Sequence, residues 1–269
     1  MHNIGYFSYS HSEYDDLWDI TFSQIEKHIK PHNGSVFDNY YLFTDRVSKS
    51  LPDWVTPVIY TDGPIWSEKT LECLNQIEDD YVIYTHDDNF IVGDVYVKNI
   101  TDLRIILDTT DLCFVQLLRS GVPVSRFKEH SNDFLNVDQY FSYQNVQHLQ
   151  DESRQYVGQP TLWDRDKFIY LLENNIATSN TAKLSGEKTR DLESPETHQW
   201  MIDNNIRGCY SWDPDIDLPI PPKNVTYRSK IFPTMNAVRR GRWYVTEHGN
   251  ELLELLNGYD VNIKDRGVL

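Results

Sequence analysis

The densest chemistry in the chain lies in His86-Asp87-Asp88-Asn89, where two adjacent carboxylates can hold a hard divalent cation. Such an ion takes one or two carboxylate oxygens and keeps positions open for phosphate. The segment follows the apolar run Tyr81-Val82-Ile83-Tyr84, which has the length of a strand. It therefore stands at a strand's carboxyl end, where open α/β sheets bind their ligands. The plain alternative is a solvated turn, since Asp and Asn are common turn residues. A further carboxylate, Glu196, belongs to a helix start, Ser194-Pro195-Glu196. It is either an acid at the positive end of the helix dipole or a general base. Asp191 and Glu193 are close enough in sequence to substitute for it. Residues 228–246 carry Arg228, Lys230, Arg239, Arg240 and Arg242 and no acid. Arginines can clamp a diphosphate bidentately, or they form a solvated basic face. His198 and His248 are candidate third metal ligands, although a lone histidine is more often structural.

The elements that must position these residues follow from periodicity. Strands are expected at Asn3–Ser8, Tyr40–Thr44, Pro57–Thr61, Tyr81–Thr85, Leu112–Leu118 and Tyr156–Leu162. A helix capped by Ser12 carries Tyr14, Leu17, Trp18, Phe22, Ile25 and Ile29 at helical spacing and stops before Pro31. Ser67 is the expected cap of a second helix that buries Leu71, Leu74 and Ile77. Ile100, Leu103, Ile106 and Leu107 mark a third, Asp164 caps a fourth, Ser194 opens a fifth, and the last runs from Glu247 to Asn257 with Gly258 as its stop. Residues 125–155 are polar and aromatic, and 177–193 have a loop composition. Alternating β and α units predict an α/β fold: a mostly parallel central sheet with helices on both faces and an irregular C-terminal half. Nothing demands a boundary, so one domain over 1–269 is expected, with a ligand-binding half at 1–120 and a second half at 121–269.

Composition removes several function classes. Lys and Arg number 25 against 41 Asp and Glu, a net charge of −16, which argues against a nucleic-acid partner. No apolar run approaches the roughly 20 residues of a membrane span. The three cysteines, Cys73, Cys113 and Cys209, are scattered and suit a reducing compartment. The opening residues MHNIGYFSYS lack a basic stretch followed by an apolar one, so no secretory signal and a cytoplasmic location are expected.

Several segments, in order, resemble GT-A glycosyltransferases, in particular bacterial and viral capsule-type members. YVIYTHDDNF resembles the strand ending in the DxD-like motif of that family. Ser8-Tyr9-Ser10-His11 resembles its first nucleotide-binding loop, and Thr61-Asp62-Gly63 the loop after its third strand. Gln159-Pro160-Thr161-Leu162-Trp163 is similar to the acceptor-side strand, and Ser194-Pro195-Glu196 to the place where inverting members carry their base. Arg239-Arg240-Gly241-Arg242-Trp243 through Lys264-Asp265-Arg266-Gly267 resembles the end of the capsule-type subgroup.

The resemblance implies a GT-A, Rossmann-like fold and transfer of a sugar from a nucleotide-sugar donor to a glycan or polysaccharide acceptor. It implies Glu196 as base, with Ser8, Tyr9, Ser10, Asp62, His86, Asp87, Asp88, Arg239 and Arg240 on the donor. Asp87 and Asp88 would hold Mn²⁺ or Mg²⁺, and Gln159 and Trp163 would meet the acceptor. One position departs from the pattern: His86 stands where DxD has its first acid. Trp66, Trp200, Trp212 and Trp243 are further rings suited to a sugar face or a base, or to the core. His86-Asp87 also resembles the pair of HD-type metal-dependent phosphohydrolases, which carry it on a helix among other histidines. A non-catalytic nucleotide- or sugar-binding module on the same fold is the third possibility.

Overall fold

The computed structural model describes residues 2–29, 37–117, 134–138, 141–145, 160–174, 195–212 and 232–269. The chain begins with β1 (Ile4–Tyr9), a short 3-10 segment (Ser12–Leu17), α1 (Trp18–His28), β2 (Asn39–Thr44) and β3 (Thr56–Ile59). It continues through α2 (Trp66–Leu74), β4 (Tyr81–His86), β5 (Asn89–Ile91), α3 (Val97–Thr109) and β6 (Phe114–Gln116). Next come β7 (Phe134–Asp138), β8 (Phe141–Asn145), β9 (Thr161–Asp164), α4 (Arg165–Asn174), α5 (Pro195–Asp203) and β10 (Gly208–Trp212). β11 (Thr234–Asn236), β12 (Val238–Arg239), β13 (Arg242–Trp243) and α6 (Val245–Asn257) complete it.

One sheet of nine strands has the order β3-β2-β1-β4-β9-β6-β10-β8-β7. Only β8 and β9 oppose the direction of the other strands, so the sheet is mostly parallel. Alternate residues of each central strand feed two cores, because successive side chains point to opposite faces. Tyr6, Leu42, Ile83 and Leu162 join α1 and α3 on one face. Phe7, Phe43, Val82, Phe114 and Trp163 join α2, α4 and α5 on the other. The Phe7 and Phe43 rings stack with centroids 4.1 Å apart, fixing β1 against β2.

The expected α/β class is observed, and the differences are local. Residues Ser12–Leu17 wind as a 3-10 segment, and Tyr14 leaves helical geometry there. α2 begins one residue before the expected Ser67 cap, after Ile65, and has no side-chain cap. Asp164 does cap α4, its carboxylate accepting the Lys167 N–H at 3.0 Å. The 125–155 region contributes β7 and β8 to the sheet edge. A third core gathers Leu17, Ile20, Phe90, Met235, Trp243, Leu252 and Leu256, seating α6 and the β11–β13 segment beside the start of α1.

Candidate functional site

The chain runs outward from β1 through β2 to β3 and then returns to pair β4 on the other side of β1. This reversal makes the β1/β4 boundary a topological switch point, and the crevice beyond its carboxyl ends is where open α/β sheets take ligands. Two stretches meet there, Ser8-Tyr9-Ser10-His11 after β1 and His86-Asp87-Asp88 after β4, with Tyr9 in register with His86.

The two aspartates differ in setting. Asp87 is buried at 7% exposure. Its backbone N–H donates to the Tyr9 carbonyl at 3.1 Å, and its own carbonyl accepts from the Thr21 hydroxyl at 2.8 Å. Its carboxylate accepts a short hydrogen bond from the Ser10 hydroxyl, whose oxygen in turn accepts the Trp18 indole N–H at 2.7 Å. Burial, with the Asp88 charge added, pushes the Asp87 carboxyl far above the usual carboxylate range. Asp88 is only half-buried. Its carboxylate accepts from the Asn89 amide at 2.9 Å, and its carbonyl accepts the Ala237 N–H at 2.8 Å, which ties the rim to the segment between β11 and β12. Burial raises Asp88 to about 7, with Arg266 and Asn89 pulling the other way.

His86 is half-buried between Tyr9 and Tyr84, hydrogen-bonds the Tyr84 hydroxyl through Nε2, and is held neutral by burial, its pKa lowered to about 4. A neutral imidazole here can donate or accept at an uncharged ligand group.

Beside it, the ends of β2 and β3 add a second cluster. The Tyr60 ring stacks parallel to Tyr9 at 5.6 Å, and its hydroxyl donates to the Ser10 carbonyl at 2.7 Å. His11 Nδ1 accepts the Glu13 N–H at 3.1 Å, leaving its proton on Nε2. Nε2 faces Asp45 at 3.8 Å and Asp62 at 3.7 Å. Burial works to raise the Asp45 carboxyl, but the Ser12 N–H at 2.7 Å and hydroxyl at 2.9 Å outweigh it and hold it below its ordinary value. Asp62 is exposed and is lowered by its ion pair with Lys69 at 2.8 Å.

The structure thus brings Tyr9, Ser10, Asp62, His86, Asp87 and Asp88 to one rim. Ser8 does not reach it: the side chain is fully buried between strands, 3.4 Å from the Thr85 hydroxyl. Trp163 is corrected from acceptor contact to core, since it is fully buried and stacks on Phe168 at 4.6 Å. Arg239 and Arg240 are exposed on the β12–β13 hairpin; Arg239 donates to the Tyr244 hydroxyl at 2.6 Å. His248 Nε2–H donates to the Asn236 carbonyl at 2.9 Å. Trp66 and Trp243 belong to cores, and Trp200 is half-buried beside Tyr170. Glu196 lies in the first turn of α5. Gln159, Asp191, Glu193, Arg228, Lys230 and the side chains of Glu196, His198 and Trp212 lie outside the described residues.

His11, Asp45, Lys69, Tyr60 and Arg266 extend the set beyond what spacing indicated. Asp45 was accessible to the same rule that found Asp87, because it directly follows a parallel strand.

A divalent metal fits this rim only in part. Among the described residues, no three His, Cys, Asp or Glu side chains converge on one point. Asp88 offers the more accessible carboxylate and Asp87 stands behind it, a set that suits an ion sharing its coordination with phosphate and not an all-protein cage. Compared with known proteins, the chain matches no family model and no curated sequence. No helix among the described residues is long and apolar enough to cross a membrane.

Proposed function

We propose that the chain is a GT-A-type glycosyltransferase that moves a sugar from a nucleotide-sugar donor to a glycan or polysaccharide acceptor. The observation that carries this reading is the half-buried Asp88, set before the buried Asp87 at the β1/β4 switch point. In this reading the aspartates hold the donor diphosphate jointly with Mn²⁺ or Mg²⁺. A bound divalent ion supplies positive charge to the departing nucleoside diphosphate. His86, kept uncharged, hydrogen-bonds the donor ribose. Tyr9 presents its ring beside it, backed by the buried Tyr60, and Asp62 and His11 line the same edge. Glu196, in the first turn of α5, takes the proton from the acceptor hydroxyl as the sugar develops oxocarbenium character, which gives inversion. Arg239 and Arg240, exposed on the β12–β13 hairpin, are the cations this reading assigns to the donor.

The phosphohydrolase alternative gains no support here, since His86 ends a strand instead of lying on a helix and the described residues hold no histidine cluster. The deciding assay presents UDP-, GDP- and dTDP-sugars with Mn²⁺ and measures nucleotide release with and without glycan acceptors. Asp88→Ala should remove it, and Glu196→Gln should cut turnover roughly 100-fold or more while sparing donor affinity. Full activity in Asp88→Ala would overturn the reading. Release of phosphate from simple phosphoesters would favour the hydrolase, and binding without turnover the non-catalytic module.

A further inference from the structure

The tail that follows α6 returns to the rim and brings a cation with it. Its backbone is fastened at both sides of Trp243: the Trp243 N–H donates to the Gly267 carbonyl at 3.0 Å, and the Leu269 N–H donates to the Trp243 carbonyl at 2.9 Å. Gly267 sits at φ +68, a left-handed turn that glycine adopts without strain. Arg266 is thereby laid over the Trp243 ring at 5.7 Å and the Tyr14 ring at 4.9 Å. Two aromatic faces flank the guanidinium.

Asp16, in the 3-10 segment, takes this guanidinium as a fork, with Nε to Oδ2 at 2.6 Å and Nη2 to Oδ1 in a second, shorter bond. The pair leaves Nη1 out. The two partners are unequally placed: Arg266 is 12% exposed and Asp16 is 50% exposed. Asp16 is the partner more easily given up to water, because its carboxylate is already half-solvated.

Both segments that build this pair also flank the aspartates. Asp16 lies six residues past Ser10, which holds Asp87, and Trp243 pairs with Val238, the neighbour of Ala237, which holds Asp88. Of these three carboxylates Arg266 contacts Asp16 alone, and its charge reaches Asp87 and Asp88 from farther off, favouring the ionised form of both. A guanidinium fork matches phosphate as well as it matches carboxylate.

We propose that Asp16 parks Arg266, and that a nucleoside diphosphate seated at Asp88 draws Arg266 away from it, so that Asp16 competes with the ligand for one cation. The inference rests on the nucleotide-sugar reading of the site. It makes Arg266 a diphosphate-binding residue and Asp16 an inhibitory one, with opposite signs on affinity. A purely structural latch would give both residues the same sign.

Calorimetric titration of UDP, GDP and dTDP with Mn²⁺ into the full chain separates these cases. Asp16→Asn should tighten binding about threefold to tenfold, Arg266→Gln should weaken it about tenfold or more, and Arg266→Lys should fall between wild type and Arg266→Gln. Thermal melting without ligand checks that each variant is folded, and Asp16→Ser repeats the test if Asp16→Asn is not. Equal affinity across the series, or weakening by both the Asp16 and the Arg266 variants, overturns the competition while leaving the site reading intact. If wild type binds none of the nucleotides, or if Asp88→Asn binds them as well as wild type, the site reading itself fails and takes this inference with it.

Discussion

The two ends of the β1/β4 boundary each bury an aspartate, and they treat it in opposite ways. At the amino end Asp79 is 1% exposed and its carboxylate accepts from the Asn39 amide at 2.8 Å and the Tyr41 hydroxyl at 2.7 Å. Both oxygens are paired, and its acidic sequence neighbours Glu78 and Asp80 are exposed to solvent. At the carboxyl end Asp87 has one hydroxyl, that of Ser10, on its carboxylate among the described residues, and Asp88 stands beside it. A buried carboxylate with full partners holds strands together. One with too few partners and a like charge for a neighbour destabilises the apo protein, and such arrangements cluster where a ligand will complete them.

The sharpest way to break this contrast is to remove one acid from each end. Asp79→Ala should cost about 1–3 kcal/mol in chemical denaturation, because it removes two hydrogen bonds, those from the Asn39 amide and the half-buried Tyr41 hydroxyl. The protein that remains folded should still bind nucleotide. Asp88→Ala should leave stability level or higher and lower nucleotide affinity roughly 100-fold. If the two variants lose stability and binding in parallel, the division between a structural end and a functional end is wrong.

A smaller effect follows from proton linkage at the rim. Asp88 is raised from 3.8 to about 7, so between those values the unfolded chain has released a proton that the folded chain retains. Its contribution to stability therefore falls as pH rises through that window. His86 is lowered from 6.5 to about 4, so there the unfolded chain holds a proton that the folded chain lacks, and stability rises with pH. The two slopes oppose each other. Asp88→Asn should gain on wild type as pH rises, by up to about 1.4 kcal/mol per pH unit, and His86→Gln should lose by a similar slope. Denaturant titrations in steps between about pH 4 and 7 read both; profiles parallel to wild type would show that neither group is perturbed by its burial.

Much of the frame that holds these groups was legible beforehand, since hydrophobic period marks strands and helices directly. β1, β2 and β4 fall within a residue of their expected bounds, and α3 buries Ile100, Leu103, Ile106 and Leu107 as their spacing indicated. The aspartates at the strand end were legible for the same reason. Failures came where register and distance decide. Ser8 and Trp163 lie on central strands buried on both faces, so a polar or aromatic residue near such a strand's end has no solvent side to occupy. β5 and β11 are three residues each and find each other across more than half the chain, which no local pattern records. Arg266 and Asp16 are separated by 250 residues, and only the fold brings them into one slot.

The amino end should also be the less forgiving of added volume. A Cβ on Gly5 would stand 2.9 Å from the Asp79 carboxylate and 3.0 Å from the Tyr41 ring. Neither neighbour can move freely, since each is held by the other's hydrogen bond. Gly5→Ala should therefore cost about 1–3 kcal/mol of overpacking and leave nucleotide binding unchanged. The Asp79→Ala background removes the carboxylate that the new methyl meets, so the same change there should cost less, by at least about 0.5 kcal/mol. Denaturation of the four proteins measures this coupling. Strict additivity would mean that β1 shifts as a unit to admit the methyl group, and the Asp79 end would then be no more rigid than the Asp88 end.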